Sequence, residues 1–101
     1  MNEERIERIR SMEEAMNELG AAIDALRDAL GRYEDAQKLA DALDEYYSGD
    51  WREDFEADER GELPPDLKRG VLSEDGLYDL LADNDDAAVT LIETAARVMR
   101  G

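Results

Sequence analysis

Apolar residues in the first third of the chain recur at alternating intervals of three and four positions. They are Ile9, Met12, Met16, Leu19, Ile23, Leu26, Leu30 and Tyr33. This alternation places all of these side chains on one narrow stripe of an α-helix, which is the seam through which coiled-coil helices pair. The pattern predicts one long helix over residues 1–47. We expect self-association through Ile9, Met12, Met16, Leu19, Ile23 and Leu26.

The path of this helix is open to two interpretations. Gly20 and Gly31 each weaken it by on the order of 1 kcal/mol relative to alanine, and a second apolar stripe, slipped by one position, takes over from Tyr33. The slip is of a kind that overwinds or ends a supercoil. Either the chain breaks near a glycine and forms a hairpin, or it continues as one helix that finds a partner helix. We favour the continuous helix, with both glycines as close-packing points and a second copy of the chain as the partner.

The segment after the long helix carries the tryptophan and the phenylalanine of the chain among many acids. Gly49 is expected to end the long helix in the left-handed conformation. Asp50 then caps a short helix over residues 51–60, with Glu53 completing a capping box. Trp51 and Phe55 lie four positions apart and share one face of this helix, so its acids occupy the other faces.

The last third of the chain is predicted to form a loop followed by one or two helices. Pro64 and Pro65, between two glycines, predict an ordered loop. Ser73 is expected to cap a helix with Leu77, Leu80 and Leu81 on its apolar face. Residues 82–87 either begin a new helix or continue this one, and a last apolar face follows at Val89, Ile92, Ala95, Ala96 and Met99.

These elements predict an all-α fold. We expect a long N-terminal coiled-coil-like helix with three shorter helical segments folded back on its C-terminal half, because strand-like alternation is missing from the sequence. A chain of 101 residues is long enough for one domain. We therefore expect residues 1–101 to form a single helical domain, with the long helix at 1–47 and an acidic helical module at 48–101.

The charge balance narrows the possible partners. The chain has 28 acids and 12 bases, a net charge of −16. This charge disfavours direct binding to nucleic acid or to a membrane, whose surfaces are themselves negative, and favours a basic protein partner. The chain contains neither cysteine nor histidine, which excludes disulfides and metal sites built from thiolate or imidazole. No apolar run suggests a membrane span or a signal peptide, so we expect a cytoplasmic protein.

Candidate catalytic motifs are weak. The stretch "DFEADERGELPP" starts like a calcium loop but has glutamate where that loop needs glycine and proline where it needs glutamate. Glu4 with Glu7 and Asp41 with Asp44 have the spacing of a magnesium-dependent helical pyrophosphohydrolase. Pairs three apart arise readily by chance in so acidic a chain. We expect no enzyme activity, no cofactor and no metal site, with the pyrophosphohydrolase as the third-ranked alternative.

The acids of the second half can be interpreted in two ways. They are either the solvated faces of ordinary helices, or a surface that imitates the phosphates of a nucleic acid and occupies the basic groove of another protein. In the second case an exposed Trp51 or Tyr78 serves as an apolar anchor, although core packing is the competing interpretation of Trp51. The candidate partner-binding residues are Asp50, Trp51, Glu53, Asp54, Glu56, Asp58, Glu59, Glu74, Asp75, Asp79, Asp83, Asp85 and Asp86.

The stretch "YYSGDWREDFEADERGELPPDLKRGVLSEDGLYDLL" resembles the bacterial domain-of-unknown-function family numbered 4298. The resemblance implies a small helical protein and assigns no catalytic residue. It also indicates that the loop has a defined structure, in which Lys68 and Arg69 either form ion pairs that lock it or make a binding hot spot.

Two functions from different classes therefore remain. The leading one is an inhibitor or regulator of a basic nucleic-acid-binding protein by nucleic-acid mimicry, of the anti-restriction or anti-CRISPR type. The alternative is a coiled-coil homodimeric scaffold or adaptor, in which the charge serves only solubility.

Overall fold

A computed structural model describes residues 2–101 and shows no strand in that range. Helix α1 spans Asn2–Ser48, α2 spans Trp51–Glu59 and α3 spans Gly76–Arg100, with a 3-10 turn at Gly70–Leu72 between α2 and α3. The predicted all-α class, with shorter helical segments packed against the end of the long helix, is confirmed. The chain divides into two compact units, Met1–Gln37 and Lys38–Gly101. The assignment of residues 1–101 to a single domain stays a prediction.

The N-terminal unit consists of helix throughout its described part. Helix α1 passes through Gly20 and Gly31 without a break, so the hairpin alternative is wrong. A Cβ built on either glycine meets no atom within 4 Å, so neither packs against another part of the described chain, and close packing against a partner helix stays a prediction. No residue of α1 is buried. The six seam residues expected to self-associate are exposed, from 39% at Ile23 to 63% at Leu19.

The C-terminal unit holds a small aromatic and aliphatic core. Within residues 2–101 the buried residues are Trp51, Leu72 and Leu77. Partly buried apolar residues complete the cluster, namely Leu43, Tyr46, Tyr47, Phe55, Leu63 and Leu81. The end of α1, α2, the 3-10 turn and the start of α3 thus each contribute apolar side chains to one cluster.

The Trp51 side chain lies at the centre of this cluster. Its ring stacks on Phe55, with 4.9 Å between centroids and 17° between planes, and is tilted by 56° against Tyr47 at 5.2 Å. The indole Nε1 donates a hydrogen bond of 2.9 Å to the carbonyl of Val71. Trp51 is 8% exposed, so its assignment as a partner-binding anchor is wrong. The indole is stable inside the cluster because its apolar ring is removed from water and its N–H still has a hydrogen-bond acceptor.

The ends of α2 differ from the expected ones. Asp50 adopts the helical conformation and makes no side-chain capping bond, so the capping box with Glu53 is absent. A capping side chain needs an extended backbone at its own position. The left-handed glycine is Gly61, with φ of 70°, and not Gly49. The amides of Gly61 and Glu62 bond back to the carbonyls of Asp58 and Ala57, the pattern of a Schellman motif.

Helix α3 begins later than the predicted cap at Ser73 and is continuous to its end. Ser73 does not cap it, because the Ser73 hydroxyl donates to the carbonyl of Gly70, 2.9 Å away, and the helix starts at Gly76. The ambiguous segment 82–87 is helical throughout. The apolar residues near the end of α3 are largely exposed, with Ile92 at 70% and Met99 at 86%.

Removing the Trp51 indole is expected to destabilise the C-terminal unit severely. The change Trp51→Ala leaves a cavity and removes the hydrogen-bond donor of the Val71 carbonyl. We therefore expect the free energy of unfolding to fall by roughly 3–5 kcal/mol. Urea titration followed by circular dichroism at 222 nm measures this loss. The matched change Tyr78→Ala, at a residue that is 60% exposed, should cost less than about 0.5 kcal/mol. Equal losses in the two variants would contradict the central role of Trp51.

Candidate functional site

The structure sorts the thirteen candidate partner-binding residues by exposure. Trp51 is buried, and Asp54 and Asp58 are half-buried. The remaining ten are exposed, namely Asp50, Glu53, Glu56, Glu59, Glu74, Asp75, Asp79, Asp83, Asp85 and Asp86. The acids that the sequence singled out therefore form two groups, one that contributes to the fold and a larger one that faces solvent.

The half-buried acids are engaged within the unit. The Tyr46 hydroxyl donates to Asp54 Oδ2 over 2.6 Å, which connects the end of α1 to α2. The Arg69 Nη1 donates to Asp58 Oδ1 over 2.6 Å, which ties the loop to α2. The interpretation of the adjacent bases as a lock is thus confirmed for Arg69. Lys68 is exposed, and the structure shows no ion pair for it among residues 2–101.

Three aspartates form a continuous stripe on α3, which we call the α3 acidic face. Asp79, Asp83 and Asp86 follow one another at intervals of four and three positions, so they lie on the same side of the helix. They are exposed, whereas Leu77 is buried and Leu81 half-buried. Because the two leucines lie about 180° around the helix from the aspartates, packing of the leucines turns the carboxylates outward.

An open depression adjoins the exposed acids. It has a volume of about 430 Å3 and is lined by Phe55, Asp58, Glu59, Leu72, Ser73 and Glu74. Its apolar lining comes from α2 and the 3-10 turn, and carboxylates from α2 and the loop stand beside it. The sequence did not reveal this feature, because it depends on how α2 packs against residues more than ten positions away.

The described residues offer no preformed metal site. Within residues 2–101 no three acidic side chains converge as ligands for an ion would. The same stretch contains no helix that combines the length and apolarity needed to cross a membrane. The predicted absence of catalytic activity stays a prediction.

The chain matches the model of the family described as "Domain of unknown function (DUF4298)" over residues 9–94. It belongs to the DUF4298 family. The match includes both the apolar seam of α1 and the acidic residues of α2 and α3, so the resemblance, whose most specific part is residues 46–81, is confirmed over most of the chain. No curated protein and no solved structure matches the chain. The function of this DUF4298 protein is therefore argued from its surface.

The hydrogen bond between Tyr46 and Asp54 alters the chemistry of the phenol. The bond to the carboxylate, together with burial and the negative charges of Asp54 and Asp50, raises the pKa of Tyr46 to about 12. On the exposed loop, the hydrogen bond between Arg60 and Glu62 lowers the pKa of the Glu62 carboxyl. These shifts report local pairing, and neither group lies on the α3 acidic face.

The raised pKa predicts a specific alkaline transition. Because the folded pKa of Tyr46 lies above the ordinary value near 10, the bond stabilises the fold fully below about pH 10 and is lost as the pH rises through 12. The difference between the ultraviolet titrations of wild type and Tyr46→Phe isolates this tyrosine. We expect Asp54→Asn to lower the pKa of Tyr46 towards 10. Asp66→Asn, at an exposed loop residue, should leave it unchanged, and an equal pKa in all three backgrounds would contradict the assignment.

Proposed function

We propose that this protein is a non-catalytic binding protein that occupies the basic surface of a nucleic-acid-binding protein in place of the nucleic acid. The α3 acidic face is the observation that carries the proposal. It presents three exposed carboxylates in one stripe, on a unit whose residues 38–101 contain eighteen acids and seven bases, a net charge of −11.

The spacing of these carboxylates suits a surface that binds phosphates. Side chains three or four positions apart on a helix lie about 5–6 Å from each other, and one strand of a duplex carries a phosphate about every 3.4 Å along its axis. The α3 acidic face is sparser than a nucleic-acid strand, but its charges have the same sign and repeat in one direction. Glu53, Glu56 and Glu59 add three exposed carboxylates on α2.

The fold holds the acidic surface in place before a partner binds. The bond from the Trp51 indole to the Val71 carbonyl and the bond from Arg69 to Asp58 both orient α2. A surface that is already ordered loses less conformational entropy on binding than a flexible acidic tail. The inner acids are used to build the fold, and the outer acids remain available for a partner.

The depression beside α2 offers a smaller apolar contact than an exposed Trp51 would. Half-buried Phe55 and buried Leu72 line it together with the carboxylates of Asp58, Glu59 and Glu74. A lysine or arginine of a partner can place its methylene stem on the apolar lining while its charged end meets a carboxylate. The partner class that fits is a basic cytoplasmic protein such as a nuclease, a repressor or a defence protein.

A competition experiment tests the proposal. Immobilised double-stranded DNA is loaded with the DNA-binding proteins of a bacterial lysate, and the purified protein is then added as the eluant. We expect it to release at least one basic protein, which is identified by mass spectrometry. Neutralising the α3 acidic face with D79N/D83N/D86N should weaken release by roughly threefold to 150-fold, because three charge contacts worth about 0.2–1 kcal/mol each are lost.

A control of equal charge separates a specific surface from bulk charge. The variant E14Q/E18Q/D24N removes three acids from the N-terminal unit and should release the same protein as wild type does. If the wild type releases nothing, or if the two triple variants are equally impaired, the proposed mimicry is wrong.

A further inference from the structure

From Ile9 to Leu26 the apolar seam of α1 has no cover in the described chain. Met12, Met16 and Leu19 are 61%, 62% and 63% exposed, and no residue of the helix is buried. A long helix in water derives most of its stability from packing its apolar face, and two internal glycines weaken this one further. The N-terminal unit therefore has the pattern of a helix that is completed by another helix.

The residues beside the seam indicate which helix that is. In the heptad defined by the seam, Ile9, Met16, Ile23 and Leu30 occupy positions a, and Met12, Leu19, Leu26 and Tyr33 occupy positions d. One flank, at positions e, carries Glu13, Gly20 and Arg27. The other flank, at positions g, carries Ala15, Ala22 and Ala29. The e flank thus has an acid and a base on either side of a glycine, and the g flank consists of alanines.

We propose that residues 9–33 pair with the same residues of a second copy in an antiparallel coiled coil, with Leu19 against the partner's Ile23. In this register Met16 meets the partner's Leu26, and Met12 meets the partner's Leu30. Two-fold symmetry repeats each of these layers, as in a closed dimer whose two copies use the same surface. Every layer between residues 12 and 30 is then apolar on both sides.

The flanks of the seam agree with this register. Antiparallel helices bring each flank against its own counterpart, e against e and g against g. Glu13 then faces the partner's Arg27 at both ends of the charged flank, and Gly20 faces Gly20 at its centre. On the other flank Ala22 meets Ala22 and Ala15 meets the partner's Ala29, and such small side chains permit close approach of the helix axes.

Other pairings of two copies are less favourable. A shift by one heptad in one direction brings Glu13 opposite the partner's Glu34, which is repulsive, and a shift in the other direction brings it opposite the partner's Gly20, which removes its attraction to the partner's Arg27. A parallel dimer pairs Arg8 with the partner's Glu13, but it also places Arg5, at a position d, against the partner's Arg5. It further brings both copies of residues 38–101, each with a net charge of −11, to the same end. The antiparallel dimer avoids both repulsions.

This inference goes beyond the proposed binding to a basic partner and does not depend on it. Cross-linking of single cysteines tests it directly, because the chain has no cysteine of its own. Ala22→Cys lies at the proposed two-fold axis, so a short bismaleimide should join two copies. Asn2→Cys should not cross-link, because the two copies of residue 2 would be roughly 55 Å apart. In a parallel dimer, Asn2→Cys cross-links instead.

Charge exchange tests the register. Either Glu13→Arg or Arg27→Glu turns both attractive contacts into repulsive ones, and we expect the dimer dissociation constant in analytical ultracentrifugation to rise roughly tenfold. The double variant E13R/R27E should return it to near the wild-type value. Circular dichroism of each variant checks that the helix itself is retained.

Each alternative result overturns the proposal. Rescue by E13R/R8E in place of E13R/R27E would show a parallel dimer. A wild type that sediments as a monomer at all accessible concentrations, with no cross-linking of Ala22→Cys, would show that the seam does not bind a second copy. Because neither measurement uses a basic partner, failure here leaves the proposed mimicry untouched.

Discussion

The packing of the Trp51 indole between Tyr47 and Phe55 is the interaction on which the C-terminal unit depends. It joins the last turn of α1 to the first two turns of α2 through ring contacts, and its N–H reaches the carbonyl of Val71 in the 3-10 turn. With three buried residues in the described chain, the hydrophobic driving force is small. The aromatic cluster therefore supplies a large share of it, since an aromatic side chain buries 150–250 Å2.

This core must act against considerable repulsion. Residues 38–101 carry a net charge of −11, and like charges held close together oppose a compact state. Two half-buried acids near the core accept hydrogen bonds from other side chains: Asp54 accepts one from Tyr46, and Asp58 accepts one from Arg69. The other acids of α2 and α3 are exposed, where water screens their charges. The two half-buried carboxylates are thus the ones whose charge the fold has to compensate.

Much of the fold was predictable because its signals are local. The three–four spacing from Ile9 to Tyr33 requires a helix whatever else the chain does, and the helical class of the whole chain follows from similar patterns. The spacing of Asp79, Asp83 and Asp86 could likewise be read as one face once α3 was known to be continuous. The sequence left two interpretations of Trp51 open, core packing and an exposed anchor, because a tryptophan four positions from a phenylalanine suits a core as well as an interface.

The features that could not be predicted depend on contacts between distant segments. Asp50 and Ser73 both have the composition of a helix cap, but the backbone at Asp50 is already helical and the Ser73 hydroxyl is used by Gly70. The depression lined by Phe55 and Leu72 exists because the 3-10 turn packs against α2, and no spacing within either segment encodes that contact. Sequence reasoning identified the residues of the candidate surface, and tertiary packing decided which of them face solvent.

The two proposed surfaces use different parts of the chain, and this separation has a consequence for binding. The seam lies within residues 9–33, and the candidate partner-binding acids begin at Asp50, so no residue belongs to both proposed surfaces. A dimer then offers two acidic surfaces to a basic partner. If one partner assembly has two basic sites within reach, the second acidic surface binds at the effective concentration set by the first, which raises the overall affinity although each contact is unchanged. Dimerisation and acidity would in that case contribute to one activity, because the seam would determine how many acidic surfaces a partner meets at once.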